Sequence, residues 1–268
     1  MQTAYRMPAR VLSPCVIGAL MGVLIVGAAG CISAPPPKSN LIEQARQQNA
    51  IGTDLAQQFE SKLRYHSDPV VNRYLDGIAA MLSATSGDPR LTGTRVAVIS
   101  DSDRQWRSFG LPGRRVYFPV GLLRQLHFDN EVAAVIALED GNILETHAID
   151  HLNQELVTRK EKGSKPPQEA VAVDFLGPRG IFSFGFDEMK DSVGVAVSLM
   201  YGAGFDVRGL LQIWERFRSN PAHSPYSPDE LEELLDFTRE TISRYAPLKN
   251  PIVGTSGFQS LRKRIEEL

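Results

Sequence analysis

Apolar positions along this chain recur with a helical period far more often than with the two-residue period of a strand. From Leu41 to about Tyr65 they fall at helical spacing among many Gln and Ala residues, which favour helix. Ser67-Asp68-Pro69 marks a helix start with proline in the first turn. That helix runs to about Ala84, with Val70, Tyr74, Leu75, Ile78 and Leu82 on one face. Ser86-Gly87-Asp88-Pro89 breaks it. Two short runs read as strands, Thr94 to Ile99 and Arg115 to Val120, and Pro119 confines the second to a sheet edge or to its own end. A long helical pattern covers Glu131 to His151, and others follow at Asp191 to Gly202 and Val207 to Arg218. Ser227-Pro228-Asp229-Glu230 opens a further helix with acids in its first turn, and its face of Glu230, Glu232 and Glu233 reads as solvated. Ser260 to Leu268 ends the chain as a charged helix.

The connection Arg159 to Gly180 is polar, then Pro-rich, then Gly-rich. It is long for a loop and is either a lid over a cleft or a disordered insert. Phe175, Leu176, Phe182, Phe184 and Phe186 cluster around it and read as core packing beneath a lid rather than as a partner surface. The pattern contains no internal repeat and no nucleotide-binding glycine loop.

The N-terminus carries Arg6 and Arg10, then an apolar stretch from Val16 to Ala29, then A-A-G-C ending at Cys31. A charged start, an apolar run of about 14 residues and small residues before a cut are the parts of a secretory signal. The run is short of the about 20 residues of a membrane span. A cysteine directly after Ala-Ala-Gly resembles a bacterial lipoprotein cleavage site, the alternatives being a plain signal peptide or an uncleaved anchor. The expected organisation is a lipoprotein-type signal over 1–30, a Pro-rich tether over 31–40 and one domain over 41–268. Cys31 would carry the lipid, and Ile32 in place of aspartate favours the outer membrane, with the domain facing the periplasm. Cys15 lies in the part removed, so a mature chain has no cysteine pair for a disulfide or a cysteine metal cluster. The formal charge of −2, more negative still without Arg6 and Arg10, gives no sign of nucleic-acid binding.

The chemistry centres on E-V-A-A-V-I-A-L-E-D-G-N-I-L-E-T-H-A-I-D-H, residues 131–151. In an H-E-x-x-H helix two histidines four apart bind Zn²⁺ and the glutamate between them activates a water. Laid over that pattern, Leu138 and Asn142 stand at the histidine positions and Glu139 alone is kept. Leucine has no lone pair and an asparagine amide is a poor zinc ligand.

Upstream, F-G-L-P-G-R-R-V-Y-F-P-V-G-L-L spans Phe109 to Leu123. Downstream, D-S-V-G-V-A-V-S-L-M-Y-G-A-G-F-D spans Asp191 to Asp206. In order and spacing, roughly residues 50–268 resemble family 48 of the zinc metallopeptidases, the CAAX prenyl protease and periplasmic quality-control protease type. That family reads N-A-F-A-L-P-G-G, then an apolar strand, G-L-L, the H-E-x-x-H helix and E-A-D-x-x-A-V-x-L-L-x-x-A-G-Y-D. The resemblance implies an α+β, zincin-like fold, mostly helical, with a small mixed sheet beside the former metal-site helix. It places Asp191 at the third-ligand glutamate and Val193 at the aspartate that follows, and no histidine matches the family's late His-Pro pair.

Those departures point to a degenerate member without a metal or other cofactor, in which Glu139 is a vestigial general base. His147 and His151 form an H-x-x-x-H of their own. Nine residues after Leu138, His147 falls about 180° round a continuous helix, so both read as surface or second-layer histidines partnered by acids such as Glu155. His66, His127 and His223 have no ligand-like spacing. In the resembled family the strand before the metal helix borders the cleft. Arg115, Val116, Tyr117 and Phe118 are therefore expected to offer an edge to extended polypeptide. Arg114 and Arg115 add charge at its mouth or form a solvated turn, and Glu139, Asp140 and Asp191 give the cleft its polarity. The function expected is binding of unfolded polypeptide or of an envelope partner protein. One alternative is a zinc endopeptidase using Asn142, Asp191 and a histidine from the lid, and another is a structural subunit of an envelope complex.

Overall fold

The computed structural model describes residues 38–100, 106–161 and 184–268, and at 38–39 and 155–161 it describes the backbone alone. These residues fall within one compact unit, Pro36–Leu268. The signal, Cys31 and nearly all of the tether lie outside the described residues, as do the insert from 162 to 183 and with it Phe175, Leu176 and Phe182.

Local chemistry sets most element starts. Helix α1 covers Lys38–Phe59, a 3-10 turn follows at Glu60–Lys62, and β1 is Tyr65–His66. Asp68 caps α2 (Pro69–Ser86) by accepting from the backbone N–H groups of Val70 and Val71 at 2.8 and 3.1 Å. Gly87, at φ 62°, ends it. The buried stripe of α2 is Val71, Leu75, Ile78, Ala79 and Leu82, whereas Val70 is exposed. The face expected from the sequence is therefore turned by one residue at its start, because Val70 lies in the first turn beside the cap.

Strands β2 (Arg95–Ile99), β3 (Phe109–Leu111) and β4 (Arg115–Pro119) complete a four-stranded mixed sheet in the order β1-β2-β4-β3. β2 and β4 are parallel, with Val96 opposite Val116, and the other two pairings are antiparallel. This corrects the expectation for Arg115–Phe118. The strand is interior, paired through Arg115–Pro119 on one side and Arg115–Tyr117 on the other, so it offers no free edge. Pro119 sits at its end and leads straight into α3 (Val120–Gln125). Arg115 faces Glu60 at 3.7 Å rather than a cleft mouth.

Side chains alternate across the sheet as the pleat requires. Val96, Val98, Val116 and Phe118 face the main core with α2 and α4 (Asp129–Leu144). Phe109, Leu111 and Tyr117 face a second cluster with Leu55, Ala56 and Phe59 of α1. Phe109 and Tyr117 stack with centroids 4.6 Å apart, and Phe59 meets Tyr117 edge-on at 5.6 Å.

Helix α4 is buried from Asp129 to Ile143, a helix apolar enough on every side to sit in the middle. Around it pack α2, α6 (Phe186–Gly202) and α7 (Gly209–Ser219), with α8 (Pro228–Ser243) beyond. The approach of α4 to α6 is close because residue 141 is glycine: a Cβ there would lie 2.8 Å from the Ser192 carbonyl oxygen. At the N-terminus of α4, Asp129 accepts from the Tyr74 hydroxyl at 2.8 Å and from the backbone N–H and hydroxyl of Thr255. This ties α9 (Ser256–Glu267) back to the core. The architecture is the mostly helical α+β arrangement expected. No described helix is long and apolar enough to cross a membrane.

Candidate functional site

Glu139 reaches from the middle of α4 towards β3 and is almost wholly buried. Its Oε1 accepts from Ser108 Oγ at 2.6 Å, and its Oε2 accepts from Asn142 Nδ2 at 3.0 Å. The backbone N–H of Gly110 also donates to it. Residue 110 must be small, since a Cβ there would stand 2.6 Å from the Glu139 carbonyl oxygen. Burial pushes the Glu139 carboxyl above the usual carboxylate range, and the donors from Ser108, Asn142 and Gly110, with the nearby Arg107 charge, pull it partly back.

Asn142 is the hub of the network. Its Oδ1 accepts from Ser192 Oγ at 2.6 Å and lies 3.1 Å from His147 Nδ1. An amide oxygen only accepts, so the hydrogen of the imidazole sits on Nδ1. Burial lowers the His147 pKa, against the charges of Glu188 and Asp191, which keeps the ring neutral.

The expectation that His147 points away from this face is overturned. Helix α4 ends at Leu144, and Thr146 adopts a left-handed φ of 66°. α5 (His147–Glu161) then starts in a new direction. The continuous-helix arithmetic fails at that break, and the buried His147 lands on Asn142. His151 pairs with Glu188 of α6 at 2.6 Å, and the side chain of Glu155, the acid expected beside it, lies outside the described residues. Both rings lie against Phe184, at 5.6 and 5.7 Å.

Asp191 is exposed, and the next residue, Ser192, fills the inward place against Asn142. Asp140 is fully buried, and neither carboxyl oxygen has a hydrogen-bond partner among the described residues. Burial, reinforced by the Glu139 charge, raises its pKa well above the ordinary value, so it is held as a neutral acid rather than as cleft charge.

A cavity opens beside Glu139, walled by Trp106, Ser108, Leu138, Phe184, Met189, Trp214 and Tyr226. The space that a water centre can reach in it is about 30 Å³, enough for a few waters and too small for a large peptide side chain. Leu138 lines it where a zinc ligand would point.

The donor set does not fit a catalytic zinc ion. Such an ion needs about three protein ligands and an open position. Here Leu138 is a hydrocarbon, the Asn142 oxygen is taken up by Ser192 and His147, and Asp191 is exposed. Among the described residues no three His, Cys, Asp or Glu side chains stand as a metal-binding group.

Sequence reasoning missed Ser108, Gly110, Ser192 and Tyr226. For two of them a signal was present. In N-A-F-A-L-P-G-G the residue before the phenylalanine is alanine, and here it is Ser108. In E-A-D the middle residue is alanine, and here it is Ser192. Both added hydroxyls enter the network, one on Glu139 and one on Asn142.

No protein-family model matches the chain. One curated relative, named "Putative beta-barrel assembly-enhancing protease", from Vibrio cholerae serotype O1, is 21% identical over 206 residues, covering 68% of this chain. The aligned region is 41% of that protein, so the chain spans about two-fifths of its length. A peptidase-like relationship follows at that distance.

Proposed function

We propose that this is a lipid-anchored bacterial envelope protein. Its peptidase-like fold has lost zinc hydrolysis and serves to bind extended polypeptide or a partner protein, as a chaperone or scaffold. The observation that carries the reading is Asn142. At a ligand position its amide is bonded at once to Glu139, Ser192 and His147, so the site is closed by a self-satisfied network instead of being held open for an ion. Without a polarising metal Glu139 has no activated water to deprotonate. The sheet edge nearest the site is β3, Phe109–Leu111, whose Gly110 N–H is already given to Glu139, so an extended segment or partner would be held beside this edge and not by full strand addition to it. The relative's name joins a protease to beta-barrel assembly. From it the proposal takes the envelope setting and clients rich in unpaired strands. Cys31 supplies the anchor, and no metal or cofactor is required.

Two measurements on the full chain test this. Metal analysis and casein cleavage, with and without chelator, should show neither stoichiometric zinc nor chelator-sensitive turnover. Both appearing together, with turnover lost in Glu139→Gln, would establish a zinc endopeptidase with non-standard ligands instead. Crosslinking from intact envelopes should capture many extended clients in a Cys31-dependent membrane fraction. One fixed partner would make the protein a structural subunit.

A further inference from the structure

The cavity beside Glu139 holds more than a vestige of a metal site. Ser108 Oγ donates to Glu139 Oε1 at 2.6 Å, and on the far side Glu139 Oε2 is held by Asn142 Nδ2 at 3.0 Å. Asn142 is itself fixed by Ser192 at 2.6 Å and His147 at 3.1 Å. Hydroxyl, carboxylate and orienting amide therefore stand in series, the arrangement by which a weak nucleophile is activated by a positioned base. Ser108 and Glu139 both line the cavity, and so does Tyr226. Its hydroxyl has no hydrogen bond among the described residues.

We propose that Ser108 is a nucleophile with Glu139 as its base, and that this cavity hydrolyses esters of short acyl groups without a metal. The apolar walls of Trp106, Leu138, Met189 and Trp214 set the acyl preference, and the small free space keeps the chain short. Tyr226 is the hydrogen-bond donor to the developing oxyanion.

In the first step Ser108 Oγ bonds to the ester carbonyl carbon as its proton moves to Glu139. Collapse of the tetrahedral intermediate breaks the bond to the alkoxy oxygen, and Glu139 returns the proton to the departing alcohol. A water then gives a proton to Glu139 and attacks the acyl group on Ser108. The carboxylic acid leaves, and the serine hydroxyl is restored with that proton. Water is the only co-reactant. Burial raises the Glu139 pKa, which brings a carboxylate closer to a useful base at neutral pH, and also keeps the Tyr226 hydroxyl protonated.

The inference is separate from polypeptide binding and from the zinc question, so its test runs in chelator. The detergent-solubilised full chain is treated with a fluorophosphonate probe and assayed on p-nitrophenyl acetate, butyrate and octanoate. The expected result is one adduct, mapped by mass spectrometry to Ser108, and turnover falling from acetate to octanoate. Ser108→Ala and Glu139→Gln should each lower the rate about 100-fold or more, and Tyr226→Phe about 100-fold. The wild-type rate should rise with pH through the raised Glu139 pKa, a dependence absent from the residual rate of Glu139→Gln. A folded wild type with no Ser108 adduct overturns the proposal, as does turnover unchanged in a folded Ser108→Ala or abolished by chelator. A thermal melt of Ser108→Ala, which removes one oxygen, confirms that lost rate is not lost fold.

Discussion

Glu139 and Asp140 are adjacent on one buried helix, both with almost no exposed surface, yet their surroundings treat them oppositely. Glu139 looks towards β3 and receives hydrogen bonds from Ser108, Asn142 and the Gly110 backbone. Asp140, about 100° further round the helix, meets no donor among the described residues. For both groups burial is the first cause of a raised pKa, but only Glu139 has donors that favour its ionised form. The difference teaches that a buried acid can be kept in two ways: by building a network around it or by letting it go neutral.

The largest effect should come from cutting the network at its hub. Asn142→Leu leaves Glu139 Oε2 and His147 Nδ1 facing a hydrocarbon, while Ser192 Oγ turns to its other acceptor, the Glu188 carbonyl at 3.1 Å. At about 1–3 kcal/mol for each buried group left unsatisfied, the loss should be about 4 kcal/mol in urea unfolding. A loss below about 1 kcal/mol would show that these two groups find water or one another. The next effect has the opposite sign. Asp140→Val removes a carboxyl that gains nothing from its place, and the variant should be about 2 kcal/mol more stable, seen as a melting temperature about 4–8 °C higher. Destabilisation would mean that a donor beyond the described residues already holds this carboxyl.

These two carboxyls also mark how far the sequence could be read. The cap and proline at Asp68-Pro69, the glycine stop at Gly87 and the cap at Ser227 were legible because each acts within one turn of its own helix. The α+β class was what the family resemblance implied, and the helical period and two short strands agreed with it. The strand neighbours did not, because Pro119 is satisfied equally by an edge strand and by the end of an inner one, and pairing with β3 decides between them. The α4–α5 break was illegible too. Thr146 is a β-branched residue held at positive φ, a conformation that local preference argues against and that only the surrounding structure maintains. With that break hidden, His147 fell on the wrong side. The inward turn of Ser192 in place of Asp191 rests on the approach of α6 to Gly141. The separate fates of Glu139 and Asp140 were hidden for the same reason, since a helical pattern tells which way a side chain points and not what waits there.

Titration separates the pair further. In the folded chain Asp140 keeps its proton at pH values where the unfolded chain has lost it, so the unfolded state binds fewer protons and stability falls as pH rises. That contribution is whole below the ordinary carboxylate pKa and is lost as pH climbs through the raised folded value, at up to about 1.4 kcal/mol per pH unit. Asp140→Asn should remove most of this slope in urea midpoints taken from pH 4 to 8. A remnant of the same sign belongs to Glu139, and it is smaller because three donors favour its charge. A variant as steep as the wild type would assign the proton elsewhere.

The smallest effect tests the Glu139 side of the pair alone. The Ser108 hydroxyl stabilises the ionised carboxylate more than the neutral acid, as a hydrogen bond to a charged group does. Its removal should therefore raise the folded Glu139 pKa and steepen the loss of stability with rising pH. Ser108→Ala should cost about 1.5 kcal/mol at pH 8 and less as pH falls through the raised Glu139 pKa, where protonation weakens the bond. A loss that stays small and equal from pH 5 to pH 8 would mean that Glu139 is neutral across the whole range. The contrast with Asp140 would then disappear, and with it the base on which acyl transfer at Ser108 depends.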